Sequence, residues 1–77
     1  MPWYLRDLDA GKVLAARERA GISQAQAAHA VHLGSRPRWA EYELGKHSID
    51  PARFELFLLI TGQHPEYELK RRAVASV

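Results

Sequence analysis

Residues 22–45 read ISQAQAAHAVHLGSRPRWAEYELG, and this stretch decides the fold. Ser23 followed three residues later by Gln26 is a capping box, in which each side chain satisfies a backbone N–H left free at a helix start. It predicts a helix opening at Ser23. Ile22, just before the cap, can pack on Ala27 as a small hydrophobic staple. Ala25, Ala27, Ala28 and Ala30 are strong helix formers and slim enough to let another helix approach closely. His32-Leu33-Gly34 is a short break. Ser35 then caps a further helix, Arg36 to about Leu44, with Pro37 in the first turn, where its missing N–H costs nothing. Gly45 ends it. Trp39 and Tyr42 are three apart and share one face. Pro37, Ala40, Glu41 and Leu44 lie on the opposite face, with Arg36 and Arg38 flanking.

The same punctuation extends outward. Asp9 can cap an earlier helix that runs to Ala20 and stops at Gly21. Val13 and Leu14 form its apolar stripe, with Ala10 and Ala20 one turn to either side, and Gly11 weakens its first turn. Asp50-Pro51 is a cap followed by a first-turn proline, which predicts a helix to about Thr61, stopped by Gly62. Phe54, Phe57, Leu58 and Thr61 make one stripe, and Leu56, Leu59 and Ile60 widen it. A helix apolar nearly all round is covered on more than one side. Pro65 predicts a weaker fifth helix, supported by Glu66/Lys70 and Glu68/Arg72 pairs four apart. Trp3-Tyr4-Leu5 is too short to assign. The reading is an all-α chain of about five short helices. It forms one domain over 1–77, with a core about 9–62 and a helical tail 63–77.

The chain has 77 residues, no cysteine, a formal net charge of +2 and a sequence pI near 9.3. This length allows a single domain of marginal stability. Without cysteine, neither a disulfide nor a thiolate zinc site is available, so oligomerisation is the expected supplement. The mild basicity permits a nucleic-acid partner without demanding one. No apolar run has the length of a membrane span, and Met1-Pro2-Trp3-Tyr4-Leu5-Arg6 has no signal-peptide pattern. A cytoplasmic protein is expected.

Two short helices joined by a tight turn containing glycine form a helix-turn-helix, whose second helix can enter the DNA major groove. Ala20-Gly21-Ile22-Ser23-Gln24-Ala25-Gln26-Ala27-Ala28 resembles the second-helix signature of the Cro and phage-repressor (XRE-like) family. Trp39-Ala40-Glu41-Tyr42-Glu43-Leu44-Gly45-Lys46 is similar to the end of that family's recognition helix. The resemblance covers about Val13 to Gly62. Between Ser23 and Ser35 the chain is one residue longer than the family's usual spacing, and the extra residue fits most easily within His32-Leu33-Gly34.

The resemblance implies a lambda-repressor-like bundle that binds double-stranded DNA. It places Arg36, Pro37, Ala40 and Glu41 at base edges. Arg36 would fork onto guanine, Glu41 would accept from a cytosine amino group, and Pro37 or Ala40 would touch a thymine methyl. Gln24, Ser35, Arg38, Lys46, His47 and Ser48 would hold phosphates. Arg17 and Glu43 match a structural ion pair of the family. One recognition helix reads too few base pairs for a genome, so a homodimer on a palindrome is expected, acting as a repressor of phage or mobile-element type. The surplus apolar surface of the last long helix and its tail puts that dimer at Leu56, Leu59, Ile60, Tyr67 and Leu69, beside Val74.

Other classes are less well served. His29, His32, His47 and His64 form no metal-ligand spacing. No nucleophile elbow or Gly-rich phosphate loop can be read, so no enzyme, cofactor, metal or small-molecule ligand is expected. The rival reading is a helical protein–protein adaptor or antitoxin-type partner protein that keeps the fold. The near balance of charge between Arg36 and Arg53, four basic residues against three acidic, favours it.

Overall fold

Four side chains start four helices. In the computed structural model, which describes residues 2–70 and Arg72, Asp9 accepts from the Lys12 N–H at 2.9 Å and opens α1, Ala10–Ala20. Ser23 and Gln26 complete the reciprocal capping box, at 3.1 and 2.9 Å, and open α2, Gln24–Ala30. Ser35 accepts from Arg38 N–H at 3.4 Å and opens α3, Arg36–Leu44. Asp50 accepts from Arg53 N–H at 2.8 Å and opens α4, Pro51–Ile60. Each cap satisfies a backbone donor that the helix itself leaves free. Among the described residues every regular element is a helix and none is a strand, an all-α arrangement.

The break between α2 and α3 is built from the backbone of α2. Leu33 N–H bonds Ala28 C=O at 2.8 Å, and His32 N–H bonds His29 C=O at 3.1 Å. This is the Schellman closure, which needs a left-handed residue after the last helical turn. His32 fills that place with φ 58°, while Gly34, the glycine of the break, does not have positive φ. The end of α3 closes in the same way, with Gly45 at φ 77° and Lys46 N–H on Glu41 C=O at 2.9 Å.

The core is a single cluster. Val13 and Ala16 of α1, Ala27 and Ala28 of α2, Trp39 and Tyr42 of α3, and Phe54, Phe57 and Leu58 of α4 are all buried, with Leu5, Val31 and Ile49 from the connections. Both α1 and α2 pack on α3, and α2 also packs on α4. The alanine face of α2 is what permits the close approach. Trp39 is wholly buried, its ring 5.0 Å from Phe57 and 6.1 Å from Tyr42 between centroids.

The described segments before α1 and after α4 both fold back onto α4. Trp3–Leu5 is a single 3-10 turn that delivers Leu5 to the core and packs on α4. No fifth helix follows Pro65 over the described residues, contrary to the sequence reading. The His64 side chain is fully buried, and its Nδ1 accepts from the Glu66 and Tyr67 N–H groups, each at 3.0 Å. That leaves the proton on Nε2, which donates to Glu55 at 2.9 Å. The imidazole starts a turn as a helix cap does, but no helix propagates. Tyr67 and Leu69, two apart, do not share a helical face to bury, and a short helix without such a face does not sustain itself. Val74, expected beside the dimer contact, lies outside the described residues. Among the described residues no helix is long and apolar enough to cross a membrane.

Candidate nucleic-acid interface

The two faces of α3 divide by burial. Trp39 and Tyr42 fill the core, while Ser35, Arg36, Pro37 and Arg38 are exposed at the helix start and Ala40 and Glu41 are half-buried. Lys46, His47 and Ser48, on the loop after Gly45, are exposed as well. Three cationic or ionisable groups, Arg36, Arg38 and Lys46, thus stand at the two ends of one outward helix face, with His47 beside them.

Glu43 links that face to the core. Its side chain is 6% exposed and receives a two-point contact from Arg17, Nε to one carboxylate oxygen and Nη2 to the other at 3.1 Å. The Trp39 indole N–H donates to the same carboxylate. Gln24 Nε2 donates to it at 3.0 Å. Burial pushes the Glu43 carboxyl upward, but the hydrogen bonds from Arg17, Gln24 and Trp39 and the Arg17 charge outweigh it, so its pKa lies below the ordinary 4.5. Arg17 is raised in turn, chiefly by its hydrogen bond to Glu43. Its Nη1 also donates to Ile22 C=O at 3.1 Å, which ties α1 to the segment before α2.

Gln24 carries the connection outward. Its Oε1 accepts from Arg36 Nη1 at 3.0 Å. The start of α2 therefore orients the first residue of α3, and Arg36 keeps its Nε and Nη2 donors for a ligand. The family resemblance expects Gln24 at a phosphate; here its amide is engaged by Arg36 and Glu43 at once.

No family model, curated protein or solved structure matches the chain.

Glu41 is also partnered. One oxygen lies 3.6 Å from Arg38 Nε and the other 3.7 Å from His47 Nε2. The carboxylate is thus flanked by cationic or ionisable groups on both sides, which lowers its repulsion of a nearby phosphate while occupying Arg38. Ser35 Oγ accepts its capping bond, and its hydroxyl proton remains available to a phosphate oxygen. The i, i+3 spacing of Arg38 and Glu41 was legible in the sequence. The return of His47 onto Glu41 depends on the loop that Gly45 directs back along α3.

The residues expected at a dimer contact fall into two groups. Leu56 packs against the core and Leu59 is half-buried. Ile60, Tyr67 and Leu69 are 42%, 66% and 61% exposed. Among the described residues no cluster of His, Asp and Glu converges as a metal site requires.

Proposed function

We propose that this chain is a sequence-specific binder of duplex DNA, with α2 and α3 acting as a helix-turn-helix in a lambda-repressor-like bundle and α3 as the recognition helix. The observation that carries the reading is the placement of Arg36. It is exposed at the start of α3, on a helix whose opposite face is locked into the core, and its guanidinium is held by Gln24 with donors to spare. A fixed arginine at the start of a helix is suited to forking onto guanine O6 and N7. Arg38, Ser35, Lys46, His47 and Ser48 surround it with phosphate-binding chemistry.

The protein acts as a homodimer on a palindrome, with recognition helices about 34 Å apart, one turn of the duplex. It represses by covering a promoter. Of the residues expected at the dimer contact, Ile60, Tyr67 and Leu69 are exposed.

Selection of bound sequences from a random duplex pool tests DNA binding, palindromy and half-site spacing together. The expected result is a two-fold symmetric site, bound with an affinity that falls steeply as salt rises. Failure to enrich any sequence, together with no salt-dependent binding to bulk DNA, rules the reading out in favour of a protein–protein adaptor.

A further inference from the structure

The outward face of α3 is not purely polar. Pro37, Ala40 and Leu44 stand at i, i+3 and i+7, so they form one line along the helix. Pro37 is exposed, Ala40 is half-buried, and Leu44 leaves 68% of its surface in solvent. The line is opposite Trp39 and Tyr42, which are committed to the core.

The flanks of this line restrict what can cover it. Arg38 lies at one end, beside the guanine-reading Arg36, and Lys46 and His47 lie at the other. The one acid alongside, Glu41, is flanked by Arg38 and His47. A complementary surface has anions at both ends and apolar groups between. The major groove of DNA meets this description, with phosphates along both rims and one kind of apolar group on its floor, the thymine 5-methyl. Seven residues of helix span about 10.5 Å, close to the major-groove width of about 12 Å.

We propose that Leu44, in line with Pro37 and Ala40, reads a thymine methyl group as a specificity-determining residue, and that each half-site carries a thymine for it beside the guanine read by Arg36. This rests on the DNA-binding reading given above. Leu44 extends the base-reading surface to the last turn of α3, beyond the N-terminal half where Arg36 works.

The test uses the full chain and the site recovered from the random pool, prepared once with thymine and once with deoxyuridine throughout. Uracil pairs as thymine does and lacks only the methyl. Affinities are measured at one salt concentration for the wild type and for Leu44→Ala, with thermal melting to verify that the exposed substitution leaves the fold intact. The expected result is weaker binding to the uracil duplex, by about fourfold for each methyl buried, with a smaller thymine preference in Leu44→Ala. Equal wild-type affinity for both duplexes overturns the proposal, as does a Leu44→Ala loss of the same factor on both. In either case the DNA-binding reading survives. Absence of binding to any duplex at low salt removes that reading, and this proposal with it.

Discussion

Arg36 and Glu43 share one side-chain amide. Gln24 accepts from the Arg36 guanidinium and donates to the Glu43 carboxylate, each at 3.0 Å. A base-reading candidate at the surface is thereby coupled to a carboxylate that also holds the buried indole of Trp39.

Arg36→Ala is expected to weaken binding to the selected site more than to bulk DNA. A lost bidentate base contact costs about 1–3 kcal/mol of discrimination. Gln24→Ala should also reduce discrimination, because it releases Arg36, whereas Lys46→Ala should loosen specific and bulk binding alike. Titrations on both kinds of duplex decide this. If Arg36→Ala lowers both affinities equally, Arg36 is a phosphate clamp.

The Glu43 network makes stability depend on acid. The folded pKa of Glu43 lies below its unfolded value near 4.5, so its contribution is present in full above that value. It is lost as pH falls through the folded pKa. Glu43→Gln should destabilise the protein by about 3 kcal/mol at neutral pH, since it leaves Arg17 partly buried without its counter-charge. The variant should also show a shallower loss of stability below pH 4.5 than the wild type. Denaturant melts at several pH values measure both effects, and parallel acid profiles would dismiss the assignment.

Trp39→Ala should unfold the domain. Deleting a buried aromatic costs roughly 3–5 kcal/mol, and a chain of this length holds only about 4–12 kcal/mol in total. Trp39→Phe keeps most of the packing and loses the N–H to Glu43, so it should fold with reduced stability. Circular dichroism separates the two. A folded Trp39→Ala protein that fails only in DNA binding would mean that the indole faces the ligand.

His32→Gly should stabilise the turn between α2 and α3. His32 is held at φ 58°, where a side chain costs about 1–2 kcal/mol and glycine avoids that steric penalty. Part of this is offset by the greater freedom of glycine in the unfolded chain, so the expected gain is about 0.5–1 kcal/mol. A thermal melt checks it. A loss of stability would show that the imidazole makes a contact that outweighs the strain.

Deleting the chain from Tyr67 onward should weaken dimerisation and leave α1 to α4 folded. The cut spares the contacts that seat the start of the tail, Gln63 on the Ala16 C=O at 2.9 Å and His64 on Glu55, while removing the exposed Tyr67 and Leu69. Sedimentation of full-length and truncated chains at matched concentration is the measurement. Two monomers, or two equally tight dimers, would exclude this part of the tail from the interface.

Helix limits were legible in the sequence because they are local. Asp9, Ser23, Ser35 and Asp50 each accept a backbone N–H from the following turn, and such a contact needs only a few consecutive residues. The burial of Trp39 and Tyr42 was legible too, since helical spacing alone puts them on one face. Other features needed the assembled bundle. The amide of Gln24 could equally meet a phosphate. It turns to Arg36 and Glu43 because α2 and α3 bring residues twelve and nineteen positions apart within hydrogen-bond reach. The acid–base spacing after Pro65 favoured a helix by local rules. A solvated pair four residues apart contributes only about 0.2–0.5 kcal/mol, too little to propagate a helix over the described residues after Pro65, where Tyr67 and Leu69 fall on different faces. The tail is instead anchored by His64 on Glu55, a contact that exists only once α4 has folded.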